Sequence, residues 1–389
     1  MDILKMINTQ KVVEWRRHLH AHPEVSFKEF ETTEYLVQQL AQYPEIEIIR
    51  PAATGLLAVL KGGKPGKTIG LRADIDALPI TEEADVSFKS KNPGVMHACG
   101  HDCHTAMLLG AIDVLYGMRD ELCGTVKFIF QHAEEHPPGG AVDFVKSGIL
   151  DDIEAFYGSH VFVDSPAGVI KIATGPISAN ADTFKITLQG KGSHAAKPEK
   201  GIDTLLIGTE IVQALHFIVS RNVSAFDNAV VTIGAFNTGH AHNIIPDTAE
   251  ILGTVRTTNQ ETRETIKKRI EDTINGICTA YGAKGNLDYT YGYDAVVNDA
   301  GLYSFVKDIA VKVLPDIEIA EMKPMMGGED FSAYSAIAPA FFATIGAGPT
   351  DGEYFEGHHP KFRVDEAALP IGTAMYVAFV LHTSQVVGG

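Results

Sequence analysis

The stretch HTAMLLGAIDVLYGMRDELCGTVKFIFQHAEE, residues 104–135, decides the fold class. Its first part, 104–118, is apolar on nearly every side of a helical wheel and contains no proline, so it reads as a helix buried on most of its surface. After the polar break RDEL, the segment TVKFIFQ (125–131) concentrates β-branched and aromatic residues, which suit a pleated buried surface. A buried helix feeding a buried strand is a building unit of a layered α/β domain.

Working outward, 9–22 and 29–42 carry apolar residues at helical spacing on either side of Pro23. Strands are predicted at 55–60 and 69–73, flanking KGGKPGK, which reads as a hairpin turn. A short helix at 141–148 and a strand at 155–161 follow, and the same character returns late in the chain with a helix at 301–313, a strand at 340–345 and a helix at 365–383. The alternation predicts a mostly parallel sheet flanked by helices. Between these parts the pattern changes. Strands at 183–189, 229–233, 249–257 and 286–293 enclose helices at 203–220 and 260–280 in the order β-α-β-β-α-β, that of a ferredoxin-like split unit. The expected architecture is an α/β domain, 1–180 with 294–389, interrupted by a smaller α+β domain, 181–293.

Composition narrows the function. The chain has 389 residues, 32 Lys and Arg against 49 Asp and Glu, and a formal charge of −17. With no basic stripe to offset that charge, nucleic acid is a poor partner. No run of 18 apolar residues occurs, which argues against a membrane span. The N-terminal segment lacks the apolar core and small-residue cleavage site of a signal peptide. Four cysteines are too few for a disulfide framework. The expected location is the cytoplasm.

Ligand-type residues gather just before the apolar helix: His97, Cys99, His101, Cys103 and His104 lie within eight positions. Thiolate and imidazole suit zinc and its first-row neighbours. A zinc ribbon does not fit, because Cys123 and Cys278 are isolated. The second cluster, Gln131-His132-Ala133-Glu134-Glu135-His136, sits at the C-terminal end of a predicted strand, the side on which open α/β sheets bind ligands. Two adjacent carboxylates suggest divided labour, one ligating and one accepting a proton from an activated water. His160, Asp74 with Asp76, and His358 with His359 stand at further strand ends or loops, and together they point to a polynuclear metal site. In the inserted domain His194 follows the first strand, Asn243 precedes Ile244-Ile245-Pro246, and Arg256 ends a strand; these are donors suited to a carboxylate and an oxyanion. HExxH and GxSxG are both absent, which removes zincin proteases and the usual serine-hydrolase elbow. Residues 61–68 miss the phosphate-loop pattern, since Lys61 stands at its first glycine.

These stretches resemble the M20 metallopeptidase/amidohydrolase family, in its branch of hippurate hydrolases, indoleacetyl-amino-acid hydrolases and N-acetyl-amino-acid deacetylases. The matching motifs are RRHLHAHPEVSFKEFETT (16–33), LRADIDALPI (71–80), MHACGHDCHTAMLLGAI (96–112), QHAEE (131–135), GSHVF (158–162), GKGSHAAKP (190–198), NIIPD (243–247), GTVRT (253–257), GGEDFSAY (327–334) and HHPKF (358–362), in order along almost the whole chain. The resemblance implies a catalytic α/β domain with an inserted lid. It also implies two divalent ions, manganese or zinc with nickel or cobalt as options, held by Cys99, His101, Glu135, His160 and His358. Glu134 would be the general base, His194 the contact to the scissile carbonyl, and Asn243 and Arg256 the substrate-holding residues. The implied reaction is hydrolysis of N-acyl amino acids to a carboxylic acid and a free amino acid, with a dipeptidase or carboxypeptidase as the alternative and a non-catalytic binding protein as a third possibility. The family also implies a homodimer or homotetramer. Three departures stand out: His132 replaces the branch's usual proline, Arg72 stands where other branches carry a ligand histidine, and VFVDSPAG follows His160.

Overall fold

The computed structural model describes residues 2–386. The chain packs as two compact units: one comprises the chain up to Gly175, Val296–Lys323 and the chain from Asp330 onward, and the other Pro176–Ala295 with Pro324–Glu329. The second unit therefore includes a short return segment that the expected limits of 181–293 leave out. Backbone bonds explain why: Ala179 N–H donates to Gly327 C=O at 2.9 Å and Met325 N–H to Ile177 C=O at 2.9 Å. Among the described residues no helix is long and apolar enough to cross a membrane.

The first unit is built on an eight-stranded sheet in the order Glu47–Ile49, Leu56–Lys61, Cys123–Gln131, Lys64–Asp74, Ile153–Pro166, Ala340–Gly348, Val169–Ile172 and Glu318–Glu321. Its four central strands run parallel, and antiparallel pairings lie to either side of them. Helix His101–Gly117 is buried along nearly its whole length, as its all-round apolar sequence requires. It packs against Ala368–Val386, a second helix of the same apolar character.

The hairpin expected over 55–73 is not formed. Leu56–Lys61 and Lys64–Asp74 are separated by Cys123–Gln131, antiparallel to the first and parallel to the second. The turn instead bonds across to that strand's start, with Gly62 N–H on Gly124 C=O and Lys64 N–H on Leu122 C=O. The apolar end of Lys64–Asp74 is buried on both faces, the situation of a central parallel strand. Register then assembles the site. Asp74 pairs with Gln131, and Arg72 pairs with Gly158, so His160, two residues further along its parallel strand, falls level with Asp74. His160 does not end its strand, because pairing with Ala340–Gly348 continues through Val161 and Phe162.

The second unit has a four-stranded antiparallel sheet in the order Ala229–Thr238, Thr248–Thr257, Asn180–Gln189, Lys284–Thr290. Numbered along the chain this is 2-3-1-4, the arrangement that the β-α-β-β-α-β order implies. Helix Thr204–Asn222 buries Ile207, Ile211, Leu215 and Ile218, and Gln260–Tyr281 buries Ile266, Ile270, Ile274 and Cys278. Both stripes have helical spacing and meet Phe184, Ile186, Leu188, Ile251 and Val255 in one core.

Candidate metal centre

Helix His101–Gly117 starts from Gly100, whose φ of +90° turns the chain sharply between Cys99 and His101. A side chain at Gly100 would collide with Val161, since a Cβ there lies 2.4 Å from Val161 Cγ2. Glycine thus lets the Cys99–His101 turn approach the strand that carries His160. The Cys99 Sγ lies 3.4 Å from His160 Nε2. His160 Nδ1 is 2.8 Å from the Val161 carbonyl, so Nδ1 carries the hydrogen and Nε2 presents its lone pair towards the thiol.

His101 is fixed in the same way. Its Nδ1 meets Asp76 Oδ1 at 3.2 Å, leaving Nε2 bare. That Nε2 is buried and makes no hydrogen bond. Around it stand Asp74 Oδ2 at 3.8 Å, Glu134 Oε2 at 3.9 Å and Glu135 Oε1 at 3.9 Å. His358 Nε2 approaches Glu135 Oε1 to 3.2 Å. Ligand atoms of Cys99, His101 and His160 all fall within 4.8 Å of one another, as do those of Cys99, Glu135 and His358. The two triads share Cys99.

A buried imidazole lone pair with no donor to accept is costly unless a cation fills the gap. Donors about 4 Å apart leave room for an ion bound to each at about 2.0–2.3 Å. The electrostatics agree. Burial alone would make His101 less basic, yet Asp74 and the hydrogen bond to Asp76 hold it well above the usual histidine range. Burial, followed by the charge of Glu135, pushes the Cys99 thiol up. The site thus gathers negative charge that a proton or a metal must balance. These residues fit two divalent cations.

Not every member of the sequence cluster is available. His104 spends both ring nitrogens: Nδ1 meets Asp74 Oδ1 at 2.6 Å and Nε2 accepts from Val161 N–H at 2.9 Å. Its task is to hold the strand bearing His160. Asp74 in turn takes Arg72 Nη1 at 2.6 Å, and Arg72 Nη2 donates to Asp330 at 2.7 Å, a buried charge network beneath the ligands. Asp76, a strand-end candidate with no role assigned from sequence, is the orienting carboxylate for His101. It also accepts from Ser26 Oγ at 2.6 Å and from Glu135 N–H at 3.0 Å. The Asp-Ile-Asp spacing put Asp76 in view, but its partner was not legible.

The first unit therefore brings together Cys99, His101, Glu134, Glu135, His160 and His358. The other three candidates belong to the second unit. His194 pairs with Ile244 in a short ladder, and Ala195 N–H donates to Asn243 C=O at 3.1 Å, so His194 and Asn243 are neighbours. They line one cavity of about 650 Å³ together with His240. Arg256 is not in that lining. Its Nη1 bonds to Thr254 Oγ1 and to the backbone carbonyls of Asp182 and Val255.

The family model for peptidase family M20/M25/M40 matches residues 70–382. The chain belongs to that family. It is 44% identical over 299 residues to an N-acyl-L-amino acid amidohydrolase of Geobacillus stearothermophilus, covering 76% of this chain and 81% of the relative. An N-acetylcysteine deacetylase of Bacillus subtilis (strain 168) is 40% identical over 368 residues, 94% of this chain and 95% of that protein. Among solved structures, a Bacillus subtilis protein described as a dinuclear metal-binding peptidase of the M20 family superposes with a TM-score of 0.85 at 36% identity, covering 97% of this chain and 99% of that one. The protein is a metal-dependent hydrolase of this family.

Proposed function

We propose that the protein hydrolyses the amide bond of N-acyl amino acids, releasing a carboxylic acid and a free amino acid. The observation that carries this reading is the buried, unbonded His101 Nε2 standing 3.9 Å from the paired carboxylates of Glu134 and Glu135. Cys99, His101, Glu135, His160 and His358 would hold two divalent cations. When bound, such ions act as Lewis acids and bring the pKa of a coordinated water towards about 7. The names of the Geobacillus and Bacillus relatives support the substrate class.

This chain's residues then perform the proton work and the positioning. Glu134 accepts a proton from the water as its oxygen bonds to the carbonyl carbon, and returns it to the leaving nitrogen as the carbonyl re-forms and the C–N bond breaks. Asp76 keeps the hydrogen of His101 on Nδ1, which leaves Nε2 free to ligate. His194 donates to the carbonyl oxygen as negative charge builds there. Asn243 would hold the amino acid's carboxylate from the cavity it shares with His194, and Arg256, outside that lining and with Nη1 already bonded, would add its remaining guanidinium N–H groups. The second unit serves as lid and subunit contact in a homodimer or homotetramer. Support for that contact comes from Ala229–Thr238, an edge strand of its sheet, and from the exposed Phe217 and Phe226. Manganese and zinc are the proposed metals, since carboxylate donors suit the first and a thiolate the second, with nickel or cobalt tolerated. The four cysteines are all free, which supports a cytoplasmic location.

Free-amine release from a panel of N-acyl amino acids tests the reading, with metal-stripped protein reloaded separately with manganese and zinc. Turnover of panel members is expected, and Glu134→Gln should lower kcat by about 10²–10⁴-fold while two metals still bind. Cleavage of Met-Ala but not of N-acetyl-Met would instead assign a dipeptidase. Two bound metals with no cleavage of either substrate would assign a binding protein.

A further inference from the structure

The three non-glycine residues with left-handed backbone in the described chain are Phe27 (φ 64°), Ala133 (φ 52°) and His358 (φ 68°). His358 is a proposed ligand, and Ala133 immediately precedes the Glu134-Glu135 pair. Left-handed backbone is strained for residues with a Cβ and persists only where the surroundings hold it. The first two are held by one atom. Glu29 Oε1 accepts from Ala133 N–H at 2.8 Å and from Phe27 N–H at 3.1 Å.

Glu29 occupies the position before helix Phe30–Leu40, where a side chain commonly caps its own helix, yet it makes no capping bond. It is fully buried, and its carboxyl is turned to the catalytic turn instead. A second carboxylate works beside it. Asp76 Oδ2 accepts from Glu135 N–H at 3.0 Å and from Ser26 Oγ at 2.6 Å. The peptide N–H groups on either side of Glu134, those of Ala133 and Glu135, are thus each taken by a buried carboxyl group. The loop bearing Ser26 and Phe27 is tied to the same two acids.

We propose that Glu29 is a positioning residue for catalysis, clamping the left-handed turn at Ala133 so that Glu134 and Glu135 face the metal cluster. The proposal rests on the reading of Glu134 as proton acceptor and Glu135 as ligand. Burial, reinforced by the charge of Asp76, pushes the Glu29 carboxyl up to about 7, and the Ala133 N–H opposes that rise. Protonated or not, an oxygen remains to accept the two N–H bonds, so the clamp depends on acceptor geometry.

Three substitutions test it. Glu29→Met keeps the volume and removes the acceptor, Glu29→Gln keeps an oxygen at the same reach, and Glu29→Asp keeps the acid one methylene short. Each is assayed for kcat and KM on the best N-acyl amino acid, and for zinc affinity by competition with a chromogenic chelator. Glu29→Met is expected to lose 10–100-fold in kcat with KM within about threefold, and at least tenfold in zinc affinity. Glu29→Asp should lose about tenfold in kcat, and Glu29→Gln should stay within about threefold of wild type. If the Met variant fails to fold, the Asp variant carries the test.

Wild-type kcat and zinc affinity in a folded Met or Asp variant would overturn the proposal. A Gln variant as impaired as the Met variant would do the same, because charge and not acceptor geometry would then be at work. Should the wild type cleave no N-acyl amino acid, the functional reading fails, while zinc affinity still decides whether Glu29 shapes the turn.

Discussion

The two units treat their chemistry-bearing residues in opposite ways. In the first, each proposed histidine ligand but His358 is buried or half-buried and locked by a partner on its other nitrogen: His101 by Asp76 and His160 by the Val161 carbonyl. Beneath them Arg72, Asp74, His104 and Asp330 form a hydrogen-bonded charge network that water does not reach. In the second unit, His194 and Asn243 are exposed beside an open cavity, and His194 Nδ1 accepts from the nearby Ala196 N–H at 3.0 Å. A group that must hold a cation at fixed geometry needs a frame around it, because a small displacement of a ligand weakens binding. A group that meets substrate only during reaction can stay solvated until then. The second unit is not without a frame; it spends its buried charge on the fold. Arg263, 2% exposed, binds both oxygens of Asp182, whose carboxylate also accepts from Tyr289 Oη at 2.7 Å and from Gly292 N–H at 3.0 Å.

That contrast yields a ranked set of expectations. The largest concerns the frame of the second unit. Arg263→Met leaves the Asp182 carboxylate buried without its cation, and removing one partner of a buried pair costs about 3–5 kcal/mol. Urea unfolding should show that loss, while zinc affinity at the first unit stays within twofold of wild type. A stability change under about 1 kcal/mol would mean that the buried pair contributes little to the fold. Next comes the opposite experiment. His194→Ala removes an exposed donor, so stability should hold within about 0.5 kcal/mol, whereas kcat should fall by about 10²–10³-fold, the usual loss of an oxyanion donor. Thermal unfolding and steady-state kinetics on one preparation check both. A His194→Ala protein with unchanged kcat would remove that residue from the chemistry and leave the open cavity as a surface feature.

What could be read from the sequence follows the range of the interactions involved. Helix His101–Gly117 and the two helices of the second unit were legible because their apolar periodicity is local, and the β-α-β-β-α-β order followed from them. The pairing of 55–60 with 69–73 was misread because a Gly- and Pro-rich turn signals a reversal but not which strand fills the space beside it. Here Cys123–Gln131, some fifty residues later, lies between the two. Within the metal cluster, composition marked His97, His101 and His104 alike. Partners separate His104 from His101: Asp74 and Val161 N–H consume both nitrogens of His104, whereas His101 keeps one free. Position separates His97: both its nitrogens are buried without a hydrogen bond, yet it joins none of the groups of ligand atoms within 4.8 Å among the described residues. Glu29 lies inside a motif that carries the family resemblance, but no sequence feature assigned it a role. In FKEFETT it looks like a solvated acid at a helix start, and its reach to Ala133 spans more than a hundred residues.

Glu29 also supplies the smallest expected effect, one that measures what such a frame costs. Its carboxyl is pushed up to about 7 from an ordinary value of 4.5, by burial first and by the charge of Asp76 second. In the folded state it keeps a proton that the unfolded chain has released between those two values. Folding is therefore favoured most below about pH 4.5, and this contribution is lost as pH rises towards about 7 and stays lost above it. At about 1.36 kcal/mol per pKa unit the swing is on the order of 3 kcal/mol at most. Glutamine cannot titrate. The stability difference between Glu29→Gln and wild type, followed by urea unfolding of metal-free protein from pH 4.5 to 8, should thus move steadily in favour of the variant. Bound cations would attract the negative form of Glu29 and flatten the trend in the metal-loaded protein. Parallel pH curves for the two metal-free proteins would mean that the buried acid carries no electrostatic cost. The contrast between a framed first unit and an open second one would then rest on geometry alone.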